Sequence, residues 1–587
     1  MQHSESDRSL PSRWEALLFS LKALVFQARR VLKNIRHPLR KHPKSENLCN
    51  SLVVAEFSAP LWNQISDAEF PLTAGKVHNL RVACAALNGV EIPADGTFSF
   101  WQQIGHISSS HGYTVGRELR SGCLVPNIGG GLCALSGLLY AAALKSHCSI
   151  IERHAHSRSL PGMSVEPERD ATIFWNYVDL RFQTSSSLRI ETELNASQLI
   201  VRFRREETTN VPIQNIKPLE KIVHQHASGD CLTCGMISCF RHPSATTQYP
   251  PNTAHAAFLL DSWSPEIELW CQQYSHAGDQ WHIPLDGIKW KKPNYAWKVP
   301  SDAKANYLTW FTLLNAWKTR RLPQQGEVRQ KTLLQREADL ADRYARALAT
   351  DARHLFVSQN LLPHLHANGA LGGRTYDVLM QRMPLEQLHQ LLDEATKKHP
   401  TSQTINDFRA DDKLLKAEKK ALSAAARFVT PHRAIAKKMG DRSILLDWIM
   451  PPVPPRNQHD SATMRIFFPC SPLARKGVYE LADALSGMNA KLFVLGKAKE
   501  SGTDPLANIE HHSASIEDLY SADMLILPAW VEHQPRIALR ALSAGIPVIA
   551  TRACGLASHP LLTEIDQPDA TAIKECIAKI FAISKAS

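Results

Sequence analysis

Between Ala522 and Leu556 the chain alternates short apolar blocks of two kinds. Met524–Leu527 is an unbroken apolar run closed by Pro528, the pattern of a buried strand. From Arg536 to Ser543 the apolar residues Ile537, Leu539, Ala541 and Leu542 recur at helical spacing, and Gly545 ends the run. Ile546–Ala550 is a second buried strand. Strand, loop, helix and strand in this order make a βαβ unit of a parallel sheet, in which ligands bind beyond the carboxyl ends of the strands. The loop Trp530–Pro535, with Glu532, falls at such an end. The same alternation predicts strands at Arg465–Pro469 and Lys491–Leu495, with a helix opened by Lys476-Gly477 between them. Upstream it predicts strands at Ala256–Asp261, His354–Ser358 and Arg427–Thr430, and helices at Pro265–Tyr274, Glu327–Leu348 and Asp411–Ala426. Pro451–Pro455 reads as a hinge between two such lobes.

The first third has another rhythm. A helix is expected over Val77–Asn88, a short strand over Thr97–Phe100, and a hairpin over Arg189–Leu194 and Leu199–Phe203. Gly129, Gly130 and Gly131 lead into an apolar helix that begins near Cys133. Ahead of this, Trp14–Ile35 places Leu17, Leu18, Leu21, Leu24, Val25, Ala28 and Leu32 on one helical face, with Lys22, Arg29, Arg30, Lys33 and Arg36 making it basic. Such a helix lies on an anionic membrane or packs on the next domain. The expected organisation is a basic segment (1–50), an α+β domain (51–210), a Cys/His knuckle (217–245) and two Rossmann-like α/β lobes (252–450 and 460–587).

Composition narrows this reading. The 587 residues allow three or four domains. The net charge of +11 comes without a nucleic-acid motif, so its expected partners are anionic lipid, sugar nucleotide or pyrophosphate rather than nucleic acid. Nine of the twelve cysteines are scattered, which favours a reducing compartment over a disulfide framework. No apolar run reaches the ~18–20 residues of a membrane span, and no secretory signal opens the sequence. The expected location is therefore cytoplasmic, with peripheral contact at the inner membrane face through residues 14–35.

Three groups of residues carry candidate chemistry. Cys231, Cys234, Cys239 and His242 have the spacing of a structural Zn²⁺ site, with an iron–sulfur cluster as the alternative. In the α+β domain, consecutive glycines and a helix N-terminus suit an anionic group, and a cysteine there is placed as a nucleophile. Glu152, His154 and His156 would share one face of a strand. Two chemistries fit: Cys133 with His154 as nucleophile and base, or Glu152 as general acid on a glycan. The plainer alternative is that Cys133 and His154 are core residues. Arg169 and Asp170 are placed to pair with the cluster. The third group is Lys476 and Glu532, with Gly369–Arg374 as a weaker phosphate-loop candidate.

The C-terminal stretch resembles the nucleotide-sugar motif of GT-B retaining glycosyltransferases, AD-x-x-x-x-P, E-x₇-E, then G-x-P-V-I-A-T. Ala522-Asp523, Pro528, Glu532, Gly545, Pro547, Val548 and Thr551 match it, and Arg540 stands at the second Glu. Lys476-Gly477 matches the family's Lys-Gly, while Cys470-Ser471 replaces its Gly-Arg. The resemblance implies a nucleotide-sugar donor, with Lys476 at the pyrophosphate, Glu532 at the sugar hydroxyls, and Arg475 or Arg540 as further donor cations. PLTAGKVHNL, DGTFSFW, IGGGLC-x-LS-x-LLY, ERH-x-HS and RDATIFWNYVDLRF resemble the VanW family, with Ala134 in place of its usual Gln. This implies a role at peptidoglycan or its glycan strands. The joint expectation is a glycosyltransferase acting on a cell-envelope glycan or lipid-linked sugar. The alternative is a degenerate GT-B module that only binds glycan or a partner, with the VanW-type domain as the working part.

Overall fold

The computed structural model describes residues 13–36, 39–62, 70–120, 123–156, 169–175, 177–206, 255–322, 327–402, 404–457, 463–498, 500 and 504–586. The chain forms two compact units. One holds Met1–Ala254 with Ala349–Arg353 and Asn368–Arg374, and the other holds the remainder, including both predicted lobes.

In the first unit a four-stranded antiparallel sheet runs in the order Leu52–Pro60, Gln198–Arg205, Leu188–Leu194, Val90–Ile92. Along Gln198–Arg205 the side chains alternate. Leu199, Val201 and Phe203 enter the core, while Arg202 and Arg204 pair outside with Glu56, Glu193 and Glu191. The helices Phe70–Leu87 and Cys133–Lys145 share that core. The second helix is buried on nearly every side from Leu135 to Ala143, which is why its sequence is apolar throughout rather than striped. A three-stranded antiparallel sheet has the order Thr97–Ser99, Arg181–Gln183, Ser149–Glu152.

The second unit contains two wholly parallel sheets. The seven-stranded one has the order Lys304–Tyr307, Gln280–Ile283, Ala256–Leu259, His354–Ser358, Thr375–Leu379, Arg427–Thr430, Ser443–Leu445. The six-stranded one has the order His511–Ser513, Ala490–Val494, Met464–Phe468, Met524–Leu527, Val548–Thr551, Leu562–Ile565. The central strands are buried on both faces, as parallel sheets flanked by helices require. The edge strands Lys304–Tyr307 and His511–Ser513 are exposed, so hydrophobic patterning does not reveal them. The helix expected over Asp411–Ala426 is Asp412–Ala424, because Asp411 is its N-cap and accepts the Leu414 N–H at 2.8 Å. Trp448, at the end of the first lobe, belongs to the core of the second and donates its indole N–H to Gly555 O at 3.0 Å.

Candidate functional site

The strands Met464–Phe468 and Met524–Leu527 are parallel neighbours, so their carboxyl ends lie side by side. The first leads to the turn Ala474–Lys476 and Gly477, the second to the loop beginning at Pro528. Gly477 has φ +75°, and a Cβ there would stand 1.8 Å from Pro528 O. Only glycine lets these two loops touch. The Arg475 carbonyl accepts the N–H groups of Trp530 and Val531 at 3.0 and 3.3 Å, which fixes the contact.

This contact brings Lys476 and Glu532 together. Lys476 Nζ donates to Glu532 Oε2 at 2.8 Å and to Val531 O at 3.0 Å, and Glu532 Oε1 accepts the Gln534 N–H at 2.9 Å. Burial would raise the Glu532 pKa, but the Lys476 ammonium outweighs it and holds the carboxyl down at about 2. The first lobe supplies His432, just past the strand Arg427–Thr430. Its Nδ1 accepts the Ile435 N–H at 3.4 Å, which leaves Nε2–H to donate to Glu532 O at 3.0 Å. Burial lowers the His432 pKa, so the ring is neutral, and burial likewise pushes the adjacent His533 down to about 3. Around this centre the lobes are tied by buried polar contacts. Arg536 donates twice to Glu266, at 2.6 and 2.7 Å. Glu500 accepts from Ala474 N at 2.7 Å, from Ser402 Oγ at 2.9 Å and from Thr404 Oγ1.

Other donor-site expectations are revised. Arg540 neither pairs with Glu532 nor makes any side-chain hydrogen bond or ion pair among the described residues. The helix starts only at Arg536, so an eight-residue separation from Glu532 in the loop does not return to one helical face. Arg536 takes the interlobe role instead, a residue the motif gave no reason to single out. Gly545 has φ +78° and ends the helix, with its N–H on Leu542 O, so its place is in a turn. The guanidinium of Arg374 is buried on three carbonyls, Ala352 O at 2.7 Å, Ala370 O at 2.6 Å and Ala349 O at 2.9 Å, so Gly369–Arg374 is structural rather than phosphate-binding. Cys231, Cys234, Cys239 and His242 lie outside the described residues. Among the described residues no cluster of His, Cys, Asp and Glu is suited to a metal ion.

In the first unit the Gly129–Gly131 turn presses against the rest of the domain. A Cβ on Gly130 would meet the Gly116 backbone at 2.5 Å, and Gly131 has φ +101°. Cys133 follows at the first residue of the helix. Among the described residues the N–H groups of Gly131, Leu132 and Cys133 donate to nothing. These glycines and Cys133 line a cavity of about 290 Å³, together with Trp101, Phe174, Trp175 and Tyr177. None of the four aromatic residues was singled out from the sequence, although each sits in or beside a family-like motif.

The expected alignment of Glu152, His154 and His156 does not form. The strand Ser149–Glu152 carries a register shift between Ile150 and Glu152 and then stops, so the two-residue period is lost. Glu152 turns to Arg30 (Nη1 to Oε2, 2.7 Å) and to Arg181 at 3.5 Å, and accepts the Asp179 N–H at 3.2 Å. Burial opposes its charge, but Arg30 and Arg181 prevail and hold its pKa below the usual carboxylate value. A general acid must be protonated, so this environment removes Glu152 from that role. His154 is about half exposed, 3.4 Å from Glu152. The histidine beside Cys133 is His156. Its Nδ1 lies 2.5 Å from Asp170 Oδ1, and its backbone N–H donates to Asp170 Oδ2 at 2.9 Å. Burial opposes its protonation, but Asp170 and Cys133 together lift it to about 10. Among the described residues its Nε2, which is buried, has no hydrogen-bond partner.

The helix Arg13–Arg36 meets this domain through hydrogen bonds from polar residues and through Phe26, whose ring stacks on Tyr177 at 5.8 Å. Gln27 Nε2 donates to Trp175 O at 3.2 Å, Arg30 binds Glu152, and Asn34 Oδ1 accepts from Arg181 at 3.0 Å. Trp14, Leu17, Leu21, Leu24, Leu32 and Ile35 remain exposed. Among the described residues no helix is long and apolar enough to cross a membrane.

Residues 75–204 match the family model described as VanW like protein, and this segment is a VanW-type domain. The vancomycin B-type resistance protein VanW of Enterococcus faecalis is 30% identical over 150 residues, which are 25% of this chain and 54% of that protein. An uncharacterised protein of Bacillus subtilis, YoaR, is 29% identical over 141 residues, 24% of this chain and 46% of its own length. The chain thus spans about half the length of the curated relatives it matches. Among solved structures, the sucrose-phosphate synthase of Thermosynechococcus elongatus aligns at 12% identity with a TM-score of 0.35, over 56% of this chain and 90% of that one. The lipopolysaccharide outer core galactosyltransferase WaaB aligns at 12% identity and TM-score 0.33, over 56% of this chain and 91% of its own. HepE of Anabaena, in complex with UDP and glucose, gives 12% and 0.33 over 57% of this chain and 91% of its own. The two parallel α/β lobes are defined here by strand order and register, independently of these alignments.

Proposed function

We propose that residues 252–587 are a glycosyltransferase module that takes a nucleotide-sugar donor and glycosylates a cell-envelope glycan or lipid-linked sugar. The observation that carries this reading is the Lys476–Glu532 pair at adjacent carboxyl ends of a parallel sheet, met by His432 from the other lobe. In parallel α/β sheets this edge is where ligands sit. Glycosyl transfer builds negative charge on the departing diphosphate, and a positioned ammonium stabilises it. Donor entry exchanges one partner of Lys476 for another: the ammonium leaves the carboxylate for the diphosphate, and Glu532 becomes an acceptor for sugar hydroxyls. Neutral His432 adds no charge and holds the Glu532 carbonyl, keeping the loop at its position.

The VanW-type domain is the part we assign to the envelope side of the function, at or near peptidoglycan. The exposed apolar stripe of the first helix, bordered by Lys22, Arg29 and Arg36, fits an anionic lipid surface, where a lipid-linked acceptor would be met.

Calorimetric titration of the full chain with UDP-, GDP- and ADP-sugars tests the donor site. One class should bind, and Lys476→Glu should weaken it about 30- to 5000-fold, since a close desolvated charge contact is worth roughly 2–5 kcal/mol. Binding that is unaffected by Lys476→Glu would refute this site. The second reading, a module that binds without transferring, draws on Arg540 standing where the motif has Glu and forming no side-chain hydrogen bond or ion pair among the described residues. Donor binding without turnover would select it.

A further inference from the structure

We propose that Cys133, His156 and Asp170 form a thiol acyl-transfer site in which Cys133 attacks the carbonyl of an amide seated in the aromatic-walled cavity. This inference is independent of the glycosyl-transfer reading. The nucleophile stands at the start of a thirteen-residue helix, where the dipole favours negative charge. The imidazole next to it is oriented by a buried carboxylate through Nδ1, so that Nε2 is left for proton transfer. Asp170 is about 1% exposed and also holds the His156 backbone N–H, which fixes the ring and its tautomer together. The N–H groups of Leu132 and Cys133, which find no acceptor among the described residues, supply what a tetrahedral oxyanion needs. Trp101 and Trp175, edge to face at 5.2 Å, and Phe174 give the cavity flat apolar walls for the acyl side of the substrate.

The step balances without a cofactor. The proton given up by the thiol is held on His156 Nε2, in the imidazolium that Asp170 favours, and the sulfur attacks the carbonyl carbon to form a C–S bond, with the carbonyl electrons moving to oxygen. Collapse breaks the C–N bond, and the Nε2 proton leaves with the amine. Water then attacks the thioester, giving a proton back to Nε2, and the acid and free thiol are released. A carboxylate general acid is not needed, which agrees with Glu152 being committed to Arg30 and Arg181.

The test uses the full chain and two probes, iodoacetamide and p-nitrophenyl acetate, with intact-mass and peptide analysis. Cys133 should be alkylated faster than the partly exposed Cys49, and acetylated to a thioester that hydroxylamine removes. His156→Gln should slow both reactions about 100-fold, the scale of a lost general base. His154→Gln, with a half-exposed ring, should leave them unchanged. Asp170 acts as a positioning residue. Asp170→Asn, with Cys133, Asp170 and the neighbouring Arg153 as the titratable and charged groups facing His156, should lower the pH at which the imidazolium is lost, from about 10, and so slow alkylation more at about pH 9 than at about pH 6. Equal labelling of Cys133 and Cys49, equal rates in His156→Gln, or a loss in His154→Gln in place of His156→Gln would each overturn the proposal. Circular dichroism of each variant separates a lost fold from lost chemistry, and the pH profile of Asp170→Asn remains readable if its stability falls.

Discussion

At the scale of single residues, the central pair is a carboxylate that would rather be neutral and a lysine that keeps it charged. Glu532 titrates at about 2 in the folded protein, against about 4.3 in an unfolded chain. A depressed carboxylate pKa contributes stability that is complete above the unfolded value and is lost as pH falls through the folded one. The contribution is on the order of 3 kcal/mol. Lys476→Met should therefore lower the melting temperature of the second unit above about pH 5, with the difference from the wild type fading toward about pH 2. Differential scanning calorimetry across that range checks it. A difference that does not change with pH would mean that Lys476 stabilises by packing alone. Lys476, Glu532 and Cys133 were legible in the sequence because each sits where a regular element meets a loop or turn, and Asp170 because it stands in the motif RDATIFWNYVDLRF. His156 was legible as a candidate but not as the partner of Cys133. That pairing depends on the strand ending at Glu152, and a local break of this kind leaves no mark in an alternating pattern.

At the scale of elements, the first helix shows that periodicity defines the faces of a helix without saying which of them docks. Its apolar stripe is real, yet the hydrogen bonds to the domain come from Gln27, Arg30 and Asn34, spaced three and four apart, with Phe26 stacked on Tyr177 beside them. Period alone identifies two faces; the partner's chemistry decides which one docks, and here the partner presents Glu152, Arg181 and the Trp175 carbonyl. Replacing Leu17, Leu21 and Leu24 together by Ser should leave thermal stability within about 0.5 kcal/mol, the usual range for exposed positions. It should also abolish co-sedimentation with phosphatidylglycerol vesicles. Unchanged sedimentation would remove the lipid surface as the partner. The strands follow a similar logic. Those buried on both faces, such as Met524–Leu527 and His354–Ser358, were visible as apolar runs. Lys304–Tyr307 and His511–Ser513, held only by backbone pairing at a sheet edge, were not.

At the scale of the whole molecule, the second unit works as two lobes held by charges that the chain brings from far apart. Glu266 is fully buried. Burial raises its pKa, but the Arg536 guanidinium and the Ile449 N–H draw it below the usual value. Arg536→Ala strands that carboxylate and should destabilise the second unit by about 3 kcal/mol, near the lower end for a broken buried pair because Arg536 is about a third exposed. Glu266→Gln combined with Arg536→Met should recover much of the loss, which thermal melts of the four proteins would reveal. No sequence pattern foretold this pair, since 270 positions separate its members. The account as a whole turns on whether this unit transfers sugar. The direct measurement is release of nucleoside diphosphate by the full chain from the nucleotide-sugar that binds it, with a lipid-linked glycan present. Saturable release, lowered about 100-fold or more in Lys476→Ala, is the predicted result. Release that is absent, or equal in wild type and Lys476→Ala, would contradict it.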